Sequence, residues 1–414
     1  MSKDKQPEIR FPGFTEDWEE RKLDEIFGKI RNAFVGTATP YYVDEGHFYL
    51  ESNNVKDGRI NRNTEVFIND EFYEKQKDKW LHTNDIVMVQ SGHVGHTAVI
   101  PEDLDKTAAH ALIMFSNYKT KTSPFFLNYQ FQTLTAKRKL ENITTGNTIK
   151  HILASEMKKF EVTIPEHVEQ QKIGSFFKQL DDTIALHQRK LDLLKETKKG
   201  FLQKMFPKNG AKVPEIRFPG FTEAWEERKL ETLFEKGGSG GTPKSTNPDY
   251  YRGNIPFLGI SDISNSNGYI KKTEKSITLE GLNNSAAWVV PKGAISLAMY
   301  ASVGKLAILN IDVATSQAFY NMVFNDDRLR DFVYQRLSMA NDLGEWIKLI
   351  STGTQANLNA DKVKNFVIQL PSNIEEIGKI GSFLNQIDNT IILHQRKLDL
   401  LKETKKGFLQ KMFV

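Results

Sequence analysis

The chain has 414 residues, of which 39% are hydrophobic, so it is long enough for two or three domains with packed cores, and disorder throughout is excluded. It contains no cysteine, which excludes disulfide scaffolds, thiolate metal sites and cysteine nucleophiles. The formal net charge of +4 is too small for a general polyanion binder, so any affinity for nucleic acid must be local.

The hydrophobic segments are short. The longest candidate, Ala294 to Val303, is bounded by Lys292 and Lys305 and falls short of the roughly 20 apolar residues of a membrane-spanning helix. The first ten residues, MSKDKQPEIR, are polar and lack the apolar segment of a signal peptide. We therefore expect a cytoplasmic protein with no membrane partner.

Two segments of the chain recur at one offset. Residues 7–23 read PEIRFPGFTEDWEERKL, and residues 214–230 match them at 16 of 17 positions, an offset of 214 − 7 = 207. Residues 184–206 recur as residues 391–413 with 22 of 23 identities and the same offset. Because 414 is twice 207, the chain consists of two tandem repeats that share their ends.

The middle parts of the two repeats differ strongly but keep a few landmarks. Gly58-Arg59-Ile60 aligns with Gly268-Tyr269-Ile270, and Val94-Gly95 aligns with Val303-Gly304. Short β-type runs at 85–90, 294–300 and 366–370 are separated by Gly, Asn, Ser and Pro, which predicts strand-rich domains with long loops.

Each repeat ends in a heptad pattern that predicts a long helix packed along another helix. A helix from Ile173 to Met205 would extend about 48 Å at ~1.5 Å per residue. Because the first helix leads away from the first middle part and the second leads back, we expect the pair to be antiparallel. The apolar seam positions are Ile173, Phe177, Leu180, Ile184, Leu191 and Leu194, with Ile380, Leu384, Ile387, Ile391, Leu398 and Leu401 in the second repeat.

These patterns predict an α+β fold: two strand-rich α/β domains separated by a pair of long antiparallel coiled-coil helices, in a pseudo-twofold tandem repeat. The predicted domain ranges are 1–165 for the first domain, 166–213 for a central spacer helix and linker, 214–370 for the second domain and 371–414 for a distal spacer helix.

Three motifs suggest chemistry, and each has a simpler interpretation. The run from Gly237 to Ser245 invites a phosphate-loop interpretation, but it lacks the Gly-Lys-Ser/Thr spacing, and a turn-rich loop is favoured. Asn247-Pro248-Asp249-Tyr250 resembles a methyltransferase motif without its second proline, and a turn is favoured. His93 and His96 could form a metal pair, but the second repeat has no equivalent histidine and no third ligand is evident, so we expect no metal.

The whole chain resembles the specificity subunit of Type I restriction-modification enzymes. The resemblance rests on two divergent middle parts, each followed by a near-identical helix, with PEIRFPGF leading each repeat. Local matches are GGTPKS at 240–245, NIPFL at 254–258, STGTQ at 351–355 and VEQQKIG at 168–174. The first repeat departs from the opening pattern, with FVGTATP at 34–40.

The resemblance implies a noncatalytic protein of phage defence whose two target recognition domains each bind one half of a bipartite DNA sequence, with the helices setting the gap. It also implies that the partners are double-stranded DNA, two modification (methyltransferase) subunits and restriction (endonuclease and translocase) subunits. No cofactor is expected on this chain. S-adenosylmethionine, ATP and Mg are expected in the partner subunits.

Base readout requires varied polar side chains on loops. The candidate DNA-binding residues of the first repeat are Arg31, Asn32, Asn53, Asn54, Gln90, Ser91, His93 and Lys150. Those of the second are Lys244, Ser245, Thr246, Ser261, Tyr300, Ser302, Lys305, Gln317 and Gln355. For each, an ordinary exposed loop residue remains the alternative. At the level of the protein, the alternatives are an adaptor that binds peptides or glycans and a self-contained methyltransferase or nuclease.

Overall fold

The structure is a computed structural model that describes residues 6–146, 148–208, 210–350 and 358–414. It divides into two compact units: the first comprises Met1–His187 and Lys397–Val414, and the second Gln188–Arg396. The predicted domain ranges divide the chain by repeat. The units differ from them because the last part of each long helix packs against the domain of the other repeat.

The first unit contains strands of two to seven residues and short helices, followed by the first part of a long helix. Its strands are β1 Glu19–Lys22, β2 Phe27–Asn32, β3 Tyr42–Val43, β4 His47–Leu50, β5 Val55–Lys56, β6 Arg59–Ile60, β7 Phe67–Ile68, β8 Ile86–Val89, β9 Thr97–Val99, β10 Ala108–Ala109, β11 Leu112–Tyr118 and β12 Glu161–Ile164. Its helices are α1 Leu23–Ile26, α2 Asp70–Lys75, α3 Pro124–Gln130, α4 Leu134–Ile143, α5 Ala154–Lys159 and α6 His167–Met205, the last of which continues into the second unit.

The second unit repeats this plan with a different middle. Its strands are β13 Glu226–Lys229, β14 Lys236–Ser239, β15 Tyr251–Leu258, β16 Tyr269–Ile270, β17 Lys275–Ile277, β18 Val289–Val290, β19 Ile295–Ala298, β20 Leu306–Leu309, β21 Val313–Thr315, β22 Phe319–Val323 and β23 Val367–Leu370. Its helices are α7 Ile260–Asn265, α8 Leu279–Asn283, α9 Asp327–Asp342, α10 Glu345–Leu349, α11 Ala360–Lys364 and α12 Ile374–Lys411, and α12 continues into the first unit.

The central sheets of the two units have the same order of strands. In the first unit the order is β2-β11-β8-β9, and in the second it is β14-β22-β19-β20, extended by β16. The four strands that the two sheets share are antiparallel to one another, and the added strand β16 is parallel to β20. The strands predicted at 85–90, 294–300 and 366–370 are confirmed as β8, β19 and β23.

Aromatic side chains fill the core behind each sheet. In the first unit, Trp18 from the repeated segment packs edge-on against Phe126 and Phe413, at ring centroid distances of 5.5 and 6.2 Å. In the second unit, Trp225 packs in the same way against Phe332 and Phe206, at 5.7 and 6.0 Å. Both tryptophans are buried, so the repeated segments are part of the cores.

The glycine run at 237–241 differs from its prediction as a loop. Residues Lys236–Ser239 form strand β14, and Gly240 and Gly241 follow it. A Cβ atom at Gly240 would overlap the backbone of Thr315, and one at Gly241 would overlap Ala286. Close packing against the end of β21 and against the connection between α8 and β18 therefore explains these glycines. The turn predicted at Asn247 is confirmed: the Asn247 side chain accepts from the Asp249 amide at the start of a 3-10 turn.

Within each unit the two long helices run antiparallel. In the first unit, Phe176 of α6 meets Phe408 of α12 at 5.2 Å, and Asp181 accepts from Lys405 at 2.8 Å. As residue numbers rise along α6, those of its contacts fall along α12. In the second unit, Phe201 meets Phe383 at 4.9 Å and Lys198 binds Asp388 at 2.7 Å, which is the same pair of contacts shifted by one repeat. The predicted fold class is confirmed.

The predicted seam residues are either buried or half-buried in the structure. Six of the predicted apolar residues are buried: Ile173, Phe177, Leu191, Ile380, Leu384 and Leu398. The other six are half-buried: Leu180, Ile184, Leu194, Ile387, Ile391 and Leu401.

The repeated PEIR segment connects the two helices in each unit. In the first unit, Arg10 makes two hydrogen bonds of 2.7 and 2.8 Å to Glu169 at the start of α6. The Ile9 amide donates to the carbonyl oxygen of Lys411, the last residue of α12. In the second unit, Arg217 binds Glu376 at 2.6 and 2.8 Å, and the Ile216 amide donates to Lys204 near the end of α6.

We expect Arg217→Met to lower the free energy of unfolding of the second unit by about 3–5 kcal/mol, because it leaves the fully buried Glu376 carboxylate without its partner. The double variant Arg217→Met/Glu376→Met should regain most of this loss. The control is Arg228→Met, which removes an exposed ion pair with Glu226 and should cost under about 1 kcal/mol. Denaturant unfolding followed by fluorescence measures all three, and equal losses in the single and double variants would contradict the prediction.

Candidate nucleic-acid interface

Antiparallel pairing brings several loops of each central sheet to one edge. In the first unit, β2 and β8 end at this edge and β9 and β11 begin there. In the second unit, β14 and β19 end and β20 and β22 begin at the equivalent edge. We call this the loop edge, formed by residues 33–38, 90–96 and 110–111 in the first unit and by residues 240–246, 299–305 and 316–318 in the second.

Three candidate residues of the first unit meet at its loop edge. The Gln90 carbonyl accepts from the Ile152 amide at 2.9 Å, and the Lys150 carbonyl accepts from the Gly92 amide at 3.2 Å. Ser91 Oγ shares a short hydrogen bond with His151 Nδ1. Residues 150–152 therefore lie beside the loop after β8, and the exposed Lys150 side chain stands next to Ser91.

The other candidates at this edge are Arg31, Asn32 and His93. Arg31 and Asn32 are the last residues of β2, and Arg31 forms an ion pair with Asp78 at 3.3 Å. Asn32 is half-buried, and its side-chain oxygen has no hydrogen-bond partner among the described residues. His93 is exposed in the loop between β8 and β9.

Asn54 is buried, whereas it was predicted to be an accessible DNA-binding residue. Its side chain is 1% exposed, donates to the carbonyls of Asn61 and Thr64, and accepts from the Glu51 amide. It shapes its own loop and presents no group to a ligand, because all its polar atoms are engaged inside the domain. The neighbouring Asn53 is exposed and donates to Thr64 Oγ1 at 3.3 Å.

In the second unit, the loop between β19 and β20 carries three candidates: Tyr300, Ser302 and Lys305. All three are exposed, and Ser302 has a left-handed backbone with φ of 61°. Lys305 Nζ donates to Ser264 Oγ at 3.4 Å. Gln317 precedes β22 and accepts from Thr242 at 2.7 Å, which joins the loop after β14 to the loop before β22.

The remaining candidates of the second unit lie further from these contacts. Lys244, Ser245 and Thr246 are exposed in the connection from β14 to β15. Ser261 lies in α7 and donates to Glu274 at 3.1 Å, so its hydroxyl is used within the domain. Gln355 lies outside the described residues.

Basic side chains from neighbouring elements lie near His96 of the β8–β9 loop in the first unit. Burial lowers the pKa of His96, Asp57 opposes this shift, and the nearby basic side chains of Lys137, His93 and Lys56 lower the pKa further. The Asp57 amide donates to His96 Nδ1 at 3.5 Å, so this ring nitrogen is an acceptor. Two lysines thus lie near a histidine whose neutral form is favoured by burial, and lysine side chains attract an anion.

Two residues at this edge escaped the sequence-based prediction. His151 contacts Ser91, but nothing in its local sequence marks it except its neighbour Lys150. Lys137 lies on α4, in the run Lys137-Arg138-Lys139, and the basic run was the available signal. Among the described residues, no three His, Asp or Glu side chains are placed to hold a metal ion. In the same part of the chain, no helix has the length and apolar character needed to span a bilayer.

Known proteins resemble this chain over both repeats. The model of the Type I restriction modification DNA specificity domain matches residues 15–196 and again residues 222–403. The chain belongs to this family. The two matches cover the two repeats, and each includes one central sheet and most of one long helix.

Individual relatives agree with the family match. The MjaIX specificity subunit of a Type I restriction enzyme from Methanocaldococcus jannaschii is 28% identical over 192 residues, which are 46% of this chain and 44% of the relative. The chain thus matches less than half the length of that relative. The MjaVIII specificity subunit from the same organism is 23% identical over 95% of this chain and 91% of its own.

A solved structure shares the fold. The crystal structure of the specificity subunit of a Type I restriction-modification system from M. genitalium aligns with a TM-score of 0.67, covers 99% of both chains and has 15% sequence identity. At this identity the likeness concerns the arrangement of the backbone.

We expect the pKa of His96 to lie below the ordinary histidine value and to rise in Lys137→Met, because that variant removes a neighbouring positive charge. Since the folded-state pKa is depressed, neutral His96 stabilises the fold above about pH 6.5, and this stability is lost as the pH falls through the folded-state value. Titration of the histidine ring carbons by NMR, assigned with His96→Asn, measures the shift. An unchanged titration in Lys137→Met would contradict the assignment.

Proposed function

We propose that this chain is the noncatalytic DNA-specificity subunit of a Type I restriction-modification complex. Each loop edge contacts one half of a bipartite DNA sequence, and the two long helices set the gap between the halves. The observation that carries the proposal is a contrast inside one chain: two sheets of the same strand order present different side chains at the same edge, while the segments that hold them are nearly identical.

The side chains at the loop edges suit this role. Lys305, Lys150 and Lys137 can neutralise phosphates, which position a protein on DNA without conferring sequence preference. Tyr300, Ser302 and Gln317 offer hydroxyl and amide groups that can distinguish base edges in a groove. Because Tyr300, Ser302 and Lys305 align with the different residues Ser91, His93 and His96 of the first repeat, the two half-sites should differ in sequence.

The partners follow from the family. We propose that two modification subunits assemble with this chain and methylate adenine using S-adenosylmethionine, and that restriction subunits add ATP- and Mg-dependent translocation and cleavage. On this proposal the chain carries no cofactor and performs no chemistry. Its own contribution is binding and spacing, in the cytoplasm where the DNA lies.

The direct test uses the chain purified with its modification subunits and a library of random duplex DNA. Selection should recover a two-part sequence with a fixed gap, and the affinity for it should fall as salt rises. Recovery of no common sequence, with salt-independent binding, would favour the adaptor alternative.

We expect replacement of residues 24–150 by the middle part of another specificity subunit to change one half of the recovered sequence and leave the other half and the gap unchanged. The physical reason is that each central sheet builds its loop edge from one repeat alone. The matched experiment replaces residues 231–360 and should change only the other half. A change in both halves after either replacement would contradict independent readout.

We expect insertion of seven residues after His187 together with seven after His394 to lengthen the gap by about 3 base pairs. Seven residues are two helical turns and ~10 Å, so the seam register is kept. Insertion in one helix alone should prevent assembly, because its seam would be displaced against the other helix. Sequencing of methylated sites in cells carrying each complex measures the gap, and an unchanged gap in the double insertion would contradict the role of the helices.

A further inference from the structure

A cleft of about 840 Å³ lies in the second unit between α12 and the chain around β16. Asn389, Ile392, Leu393 and Arg396 form its helical wall, and residues from Asp262 to Glu274 form most of the opposite wall. The loop-edge contacts described above do not account for this cleft.

Three cations in this lining are unpaired. Lys271, Lys272 and Arg396 are exposed, and none of them makes a hydrogen bond or an ion pair within the described residues. The two acids of the lining are already engaged. Asp262 accepts from the amides of Gly259 and Glu274 at 2.8 and 3.0 Å, and Glu274 accepts from Ser261 at 3.1 Å.

The first repeat uses the equivalent positions internally. Arg59, which aligns with Tyr269, binds Asp182 of α6 at 3.2 Å. Arg62, which aligns with Lys272, binds Glu65 at 2.7 Å. Asn61, which aligns with Lys271, donates to the carbonyls of Asn53 and Asn54 at 3.1 Å each.

The helix differs between the repeats at the same place. Asp182 of α6 corresponds to Asn389 of α12, since 389 − 182 = 207. In the second repeat the acid that would pair with an arginine is therefore absent, and so is the arginine. Tyr269 in place of Arg59 and Asn389 in place of Asp182 remove this ion pair. Lys271 in place of Asn61 adds a positive charge beside it. The same stretch that is neutralised in the first unit is left with free positive charge in the second.

The cleft continues from the loop edge. Lys305 of the loop edge donates to Ser264 of α7, and the next residue, Asn265, lines the cleft. Beyond it the lining offers amide groups on Asn267 and Asn310, while the Ser266 hydroxyl is engaged by Ile263 and Gly268. Lysine, arginine, serine and asparagine side chains are the groups that contact phosphate and sugar in protein–DNA complexes.

We propose that this cleft binds backbone phosphates of double-stranded DNA in the gap, next to the half-site contacted by the second unit. The inference rests on the proposed function and adds a contact that does not read sequence. It makes the two ends of the target unequal: gap phosphates are held beside one half-site and not beside the other. An acidic protein segment is the other chemistry that such a cleft could take, and the test separates the two.

The experiment compares the full chain with Lys271→Ala/Lys272→Ala/Arg396→Ala, both purified with the modification subunits, on DNA carrying the selected sequence. The triple variant should show a salt dependence whose logarithmic slope is smaller by about 2–3, because each lost phosphate contact removes about 0.9. The recovered half-site sequences should stay unchanged. The matched control is Arg189→Ala, which changes the equivalent position of α6 in the first repeat and should keep the wild-type slope.

A second arm changes the DNA. Neutral methylphosphonates replace the gap phosphates beside the half-site of the second unit, which the domain replacements identify. They should weaken binding of the wild-type complex and leave that of the triple variant nearly unchanged. The same replacement beside the other half-site should leave the binding of both proteins nearly unchanged, because no cleft is proposed to hold those phosphates.

The outcomes separate the two proposals. If the wild-type complex binds no specific sequence, the proposed function fails. If it binds specifically but the triple variant keeps the wild-type slope and the same sensitivity to methylphosphonates, the cleft does not hold phosphate. If the triple variant binds DNA normally but no longer assembles with the modification subunits, the cleft holds an acidic protein segment and the DNA assignment is overturned.

Discussion

A buried arginine–glutamate pair fixes each repeat to the helix pair. Arg10 binds Glu169 and Arg217 binds Glu376, both through two parallel hydrogen bonds, and both carboxylates are fully buried. Burying a carboxylate costs several kcal/mol unless its partner is well aligned. A bidentate arginine, which donates two parallel hydrogen bonds to the carboxylate, provides this alignment. The same short segment also donates to the end of the other helix, so in each unit one segment contacts the start of one long helix and the end of the other.

The rest of each unit builds on this anchor. The anchored segment leads into β1 or β13, which pairs with the strand that precedes the long helix. It also places Trp18 or Trp225 in the core behind the central sheet. A second buried contact ties the domain to the helices: Asp181 accepts from Tyr129 and Lys405, and Asp388 accepts from Gln335 and Lys198. The loop edges can therefore diverge while the frame that positions them stays the same.

Much of this frame could be predicted from one sequence, because the two repeats of the chain can be compared with each other. The offset of 207 residues identified the segments that the two repeats share. The heptad pattern predicted the long helices, and the order of the repeats along the chain predicted that they run antiparallel. The details that failed depend on long-range packing. Asn54 was expected at the surface but is buried by a loop that returns at Asn61 and Thr64. The first part of the glycine run was expected to be a loop but forms strand β14, because it pairs with β22. Gly240 and Gly241 follow that strand, where Thr315 and Ala286 leave no room for a Cβ atom.

The sequence by itself determined the duplication, the long antiparallel helices and the strand-rich class of the two domains, because periodicity and repetition are local properties of a chain. Only the tertiary structure decided which loops share an edge, since strand order sets that and no short pattern records strand order. It also decided which charged groups are free. Arg62 and Lys272 occupy aligned positions and carry the same charge. Arg62 is paired with Glu65, whereas Lys272 has no partner among the residues that the structure describes, because the surrounding chain differs.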